Sequence, residues 1–268
     1  MDGQLIRTAI ATIGAYIQEQ KIIWHLWLSL LVLSMVEYVV GLGYKEAGVL
    51  LHLAFLFCLY FAASYFQKDA VRKLYLALSL APLTRIINLS IPPFPLHPVF
   101  HYLLVGIPLL IAASLIAKKI GWGFCKTFFK GGSVIEVIGS YCLGAVIGLM
   151  SYLLFRPAII TSDLANLPFL ITSIAILASS GFLEELLFRG ILYRTAIETM
   201  GQQIGWAYSS LIYASLHLCH CSAWAVLLAL VSALILASFV RHHDSLIGAG
   251  VAHAIANIFL FFVGPLLF

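Results

Sequence analysis

Nine apolar segments follow one another along this chain, at about residues 22–41, 47–66, 73–91, 99–117, 134–155, 168–188, 203–219, 223–240 and 246–267. A stretch of about 20 apolar residues is the length a helix needs to cross a hydrocarbon core of about 30 Å. Lipid offers a backbone no hydrogen-bond partners, so each such stretch must satisfy its own N–H and C=O groups as a helix. Composition agrees: 62% of the 268 residues are hydrophobic and 10% are charged, against about 25% charged in soluble domains. The expected fold class is all-α, a polytopic transmembrane helix bundle of about eight to nine spans, with a four-helix core in its C-terminal part.

The organisation expected is an N-terminal interfacial helix over 1–21, N-terminal transmembrane helices over 22–160, and a C-terminal transmembrane core over 161–268. The opening "MDGQLIRTAIATIGAYIQEQK" lacks the compact apolar run and small-residue cleavage site of a signal peptide. The formal charge of +4 does not point to nucleic acid. With the N-terminus inside, the inner regions hold Arg7, Lys21, Lys68, Arg72, Lys73, Lys118, Lys119, Lys126, Lys130, Arg189, Arg194 and Arg241. Outer regions hold only Lys45 and Arg156, with Arg85 inside a span. That asymmetry follows the positive-inside rule and predicts a multi-pass cell-membrane protein with a cytoplasmic N-terminus and an outer C-terminus. The stretch "GWGFCKTFFKGG" is expected to lie at the cytoplasmic interface. Cys58, Cys125, Cys142, Cys219 and Cys221 form no disulfide framework.

Ionisable side chains within apolar segments are costly and are therefore candidate sites. Glu37 and His52 are expected to partner other polar groups. Arg85, near the end of the third segment with Asn88, is expected to snorkel to an interface along its aliphatic stem. Glu136, at the start of the fifth, is expected to be interfacial.

The last hundred residues carry three polar sets, each at helical spacing. In "GFLEELLFRG", Glu185 and Arg189 stand at i and i+4 and can pair on one face. Glu184 is rotated by about 100° from Glu185 and is not consumed by that pair. Tyr213 and His217 in "YASLH" repeat the spacing, as do His253 and Asn257 in "HAIAN". Gly201 in "ETMGQQ" is a natural turn, with Glu184 at 17 residues before it and His217 at 16 after it. In an antiparallel hairpin both then lie about 25 Å from the turn. His253 is at most about 15 Å past the turn "RHHDS", so the three sets share one depth only if the Gly201 hairpin stands about 10 Å further out.

A carboxylate facing a histidine in a low-dielectric cavity can hold a water and take its proton. A second histidine and an asparagine opposite are donors suited to the oxygen of a tetrahedral intermediate. Base, water and oxyanion donors together describe amide hydrolysis. The chain has no GxSxG serine elbow and no HExxH zinc motif.

Glu184-Glu185-xxx-Arg189, then Tyr213-xxx-His217, then His253-xxx-Asn257, resembles the CAAX-processing and bacteriocin-processing (CPBP, or Abi) family of intramembrane glutamic-type proteases, which includes the Ras-converting prenyl-protein endopeptidases. The resemblance covers about residues 168–262. It implies that Glu184 and His217 activate the water and that His253 and Asn257 stabilise the oxyanion, in a C-terminal catalytic core. Glu185, Arg189 and Tyr213 are assigned supporting roles; the family commonly has Phe where Tyr213 stands. The partners implied are membrane lipid and a peptide or protein substrate, prenylated or not.

The favoured reading uses no cofactor or metal. A zinc-dependent alternative uses Glu184, His217 and His253 as ligands and leaves a position open. The stretch "HLCHC", with Cys219, His220 and Cys221, is read as a segment end rather than a metal site. Two further alternatives stay open: an inactive scaffold with a buried polar network, and an ion- or proton-coupled transporter.

Overall fold

Apolar helices dominate the computed structural model, which describes residues 2–92, 97–122, 134–160 and 165–268, and side chains from residue 22 onward apart from residue 134. The interfacial stretch "GWGFCKTFFKGG" lies almost wholly outside the described residues. Helix α1 (Asp2–Gly41) runs unbroken through residue 21 into the first span. After it come α2 (Lys45–Tyr65), the short pair α3 (Asp69–Leu78) and α4 (Leu80–Ser90), α5 (Val99–Lys119) and α6 (Val134–Phe155). Helix α7 (Leu167–Glu185) passes into a π-helical stretch (Leu186–Leu192) and α8 (Tyr193–Met200). Helix α9 (Gln202–Ser215) ends in a 3₁₀ turn (Leu216–His220). The chain closes with α10 (Ala223–His243), α11 (Ile247–Ile258), a second π-helical stretch and the short α12 (Gly264–Leu267).

Among the described residues, seven helices are long and apolar enough to cross a membrane. Two of the nine segments drawn from sequence, 73–91 and 203–219, are helical but broken, the first between α3 and α4 and the second at the 3₁₀ turn. The protein is an integral multi-pass membrane protein. Trp24, Phe57, Phe61, Ile107, Ile135 and Trp224 stand exposed on the outside of the bundle, an apolar surface that lipid, not water, accommodates.

Local chemistry explains the helix ends. Asn166 caps α7 by accepting from the Phe169 N–H at 3.2 Å, with Pro168 in the first turn. Ser222 caps α10 through the Ala225 N–H at 3.3 Å. Gly201 turns the chain at φ +81° between α8 and α9. The leg from Leu167 to Met200 has 34 residues, about 50 Å at 1.5 Å per residue. It outruns a core of about 30 Å, which accommodates the overhang expected of the Gly201 hairpin.

Helix α11 sits between α6 and α7, and small residues make this possible. A Cβ on Gly148 of α6 would lie 2.5 Å from the Ala256 carbonyl oxygen, and one on Gly181 of α7 would lie 2.9 Å from the Ala254 nitrogen. Neither Cβ fits, so glycine sets the separation of the helix that bears His253 and Asn257.

Candidate active site

Glu184 and Glu185 end α7, and the helical turn between neighbours sends them to different surroundings. Glu185 is buried, and its Oε1 accepts from Arg189 Nη1 at 2.9 Å across the first widened turn of the π-helical stretch. The same oxygen lies 2.7 Å from His253 Nδ1. Glu184 keeps 42% of its side chain exposed, with Oε2 3.4 Å from the Tyr213 hydroxyl, which donates to it, and 3.7 Å from His253 Nε2. The pairing of Glu185 with Arg189 thus forms as the i,i+4 spacing requires. The second glutamate stays open.

His253 is held by its Nδ1 contact to Glu185, which turns Nε2 toward Glu184. Four residues on, Asn257 Nδ2 donates to the Leu177 carbonyl at 3.2 Å and to the Ser180 hydroxyl at 3.3 Å, both on α7. His217 sits in the 3₁₀ turn, its Nδ1 3.3 Å from the Tyr213 carbonyl oxygen. A carbonyl only accepts, so this bond places the proton on Nδ1 and leaves the Nε2 lone pair free. The Tyr213 ring is fixed from two sides: the Arg189 guanidinium stacks 4.5 Å from its centroid, and Phe188 meets it edge-on at 5.0 Å.

These groups share one cavity. Glu184, Tyr213, His217, His253 and Asn257 all line a space of about 230 Å³ bounded by α5, α6, α7, α9 with its 3₁₀ turn, α10 and α11. Glu185 and Arg189 do not line it; they stand behind Glu184 and His253 and hold them. A wider opening of about 670 Å³, bordered by Lys45, His97 and His101, shares Tyr102 and Phe261 with the inner cavity.

Two residues in or beside the site escaped the sequence reading. Ser180 lies four residues before Glu184 on α7 and touches Asn257; the same i,i+4 pattern would have found it. Tyr102 arrives from α5, and no motif connects it to the rest.

Glu37, His52, Arg85 and Glu136 do not line the cavity. Glu37 and His52 partner each other, His52 Nε2 lying 3.3 Å from Glu37 Oε1. Arg85 does not snorkel: its Nε approaches the same Glu37 oxygen at 2.7 Å, and only 15% of its side chain is exposed. A fully buried carboxylate outcompetes a distant interface for that cation. Glu136 is partly buried and lies 2.7 Å from His243 Nδ1. At the α3 end, Asp69 pairs with Lys73 and Arg72, and those bonds hold its carboxyl below the usual carboxylate range.

Among the described residues, no group of three or more His, Cys, Asp or Glu is disposed to hold a metal ion, and this includes the alternative set Glu184, His217 and His253. The stretch at Cys219, His220 and Cys221 is a segment end, with Cys221 in left-handed backbone at φ +49°.

Fold and cluster together define a polytopic helical membrane protein with a carboxylate–histidine site inside its bundle. Residues 166–259 match the family model described as type II CAAX prenyl endopeptidase Rce1-like. Over that segment the chain is similar to the CAAX-processing family of membrane proteases, the likeness its three motifs carry. No curated protein matches the chain, and no solved structure does.

Proposed function

We propose that this protein is a metal-independent intramembrane endopeptidase of the glutamic type, acting on membrane-anchored peptides. The observation that carries the reading is the division of labour between adjacent glutamates: Glu185 is closed in by Arg189 and His253, while Glu184 opens to the cavity that His217 also lines. Glu184 and the free Nε2 of His217 bind a water and take its proton as it attacks the scissile carbonyl carbon. His253 Nε2 donates to the oxyanion as the carbonyl becomes tetrahedral, and the Asn257 amide joins it by giving up its hydrogen bond to the Ser180 hydroxyl. Collapse of the intermediate breaks the C–N bond, and the captured proton goes to the leaving amine.

Within this proposal the wider opening beside Tyr102 and Phe261 admits the peptide. Charge asymmetry supports a cytoplasmic N-terminus in the cell membrane, testable by labelling single cysteines placed in the 41–45 turn from outside intact cells. The activity test is cleavage of a panel of membrane-anchored peptides, farnesylated CAAX peptides among them, by wild type, Glu184→Ala and His217→Ala, with and without a strong chelator. Cleavage lost in both variants and untouched by chelator is the expected result. Loss on chelation with recovery on adding zinc would replace it by the zinc mechanism. Equal cleavage by all three proteins would refute the site assignment.

A further inference from the structure

Three ionisable side chains from the first half of the chain converge where no motif announces them. Glu37 of α1 and His52 of α2 are fully buried, and Arg85 of α4 is nearly so. Glu37 Oε1 receives both of the others, at 3.3 Å from His52 Nε2 and 2.7 Å from Arg85 Nε. Among the described residues both Glu37 oxygens, both His52 nitrogens and Arg85 Nε lack a hydrogen-bond partner, so the cluster is held by close approach of ionisable groups and not by a bonding network. Burial of this kind is expensive, and replacing such a set by apolar side chains is often neutral or stabilising. Its presence therefore calls for a role other than stability.

The cluster touches the element that carries His217. Arg85 lies within electrostatic reach of the Cys219 thiol, two residues beyond His217 in the 3₁₀ turn. One turn along α1 from Glu37, Gly41 lies so close to that segment that a Cβ would stand 2.7 Å from Cys221 Sγ and 3.0 Å from the Leu218 and Cys219 carbonyl oxygens. A 3₁₀ turn has poorer hydrogen-bond geometry than an α-helix and is not rigid by itself. Here the α1 backbone at Gly41 packs directly against it, with Arg85 close by.

We infer that Glu37, His52 and Arg85 are positioning residues for His217: Glu37, anchored by His52, aims the Arg85 guanidinium at Cys219, and this fixes the 3₁₀ turn that presents the His217 ring to Glu184. The inference rests on the reading of His217 as part of the hydrolytic site. The first half of the protein thereby acquires a role in the chemistry of the second, through one turn.

The test compares Arg85→Met, Arg85→Lys, Glu37→Gln and the double variant Glu37→Gln/Arg85→Met in the full-length detergent-purified protein. Its readouts are kcat and KM on a cleaved peptide, thermal unfolding, and the peptide-resolved alkylation rate of Cys219 against Cys142 on distant α6. Displacing a catalytic group by about 1 Å costs on the order of a hundredfold. Arg85→Met is expected to lower kcat by that order at unchanged KM and to speed alkylation of Cys219 but not of Cys142. Arg85→Lys, keeping the charge, is expected to recover part of kcat.

The double variant separates positioning from folding. Removing both charges is expected to restore the unfolding temperature lost in either single variant while kcat stays low. A double variant with wild-type kcat and unchanged Cys219 alkylation would overturn the inference, and it is read even if Arg85→Met does not fold. Glu184→Ala and His217→Ala run beside them: activity that survives His217→Ala overturns the site reading itself, whatever Arg85 does.

Discussion

The protein buries the same three side-chain types twice. In the first half Glu37 Oε1 takes His52 and Arg85; in the second, Glu185 Oε1 takes His253 and Arg189. Both carboxylates are buried, and both are shared between an imidazole and a guanidinium. The difference lies in what stands next to them. The chain neighbours of Glu37 are Val36 and Tyr38, neither of them a carboxylate, whereas beside Glu185 stands Glu184, 42% exposed on a cavity of about 230 Å³. A closed carboxylate–His–Arg set holds helices together and orients what it touches. The same set with an open carboxylate at its edge is equipped to work on a substrate.

The strongest test of that contrast is Glu184→Gln. A general base contributes about 10²–10⁴-fold to rate, so peptide cleavage should fall by that factor. Because the side chain is half open, thermal unfolding should stay at the wild-type temperature. A Glu184 variant that is equally unstable and inactive would erase the distinction between the two glutamates.

Glu185→Gln should do the reverse in kind. Breaking one partner out of a buried ion set costs about 3–5 kcal/mol, here shared between Arg189 and His253. Equilibrium unfolding in a denaturing detergent should show the loss, together with reduced cleavage as His253 swings free. If stability holds, Glu185 is not the anchor described above.

Gly181→Ala probes the approach of α7 to α11 and should have an intermediate effect. Its Cβ would lie 2.9 Å from the Ala254 nitrogen and 3.0 Å from the His253 carbonyl carbon. Overpacking of this order costs about 1–3 kcal/mol, and cleavage should drop along with stability because His253 moves with its backbone. Unchanged cleavage would mean that the backbone at His253 has more freedom than this close approach implies.

The smallest effect belongs to Tyr213→Phe. The hydroxyl reaches Glu184 at 3.4 Å, a long hydrogen bond, and one such bond is worth about 0.5–1.5 kcal/mol. Initial rates should change by about tenfold or less, since the ring contacts with Arg189 and Phe188 remain. A loss as large as that of Glu184→Gln would give Tyr213 a part in proton transfer.

Much of the second half was legible from spacing alone. Glu185 with Arg189, Tyr213 with His217 and His253 with Asn257 are pairs within single helical turns, and a period of 3.6 residues places such pairs without any knowledge of neighbours. Ser180 lay within reach of the same rule. Arg85 did not, because its partner is 48 positions earlier on another helix, and a lone cation in an apolar segment is equally suited to an interface or a buried carboxylate. Tyr102 was hidden for the same reason.

By itself, the sequence determined that the chain must be a membrane-crossing helical bundle, because apolar stretches of this length leave the backbone no other way to bond itself. It also determined which polar residues share a helical face, because that depends only on the helix period. That the sealed glutamate also takes His253, and that the open one faces a cavity, was decided by the tertiary structure alone. So was the meeting of Glu37, His52 and Arg85 behind the His217 turn. Both depend on how closely and at what rotation separate helices pack, and glycines such as Gly41, Gly148 and Gly181 set those distances through contacts that no local pattern encodes.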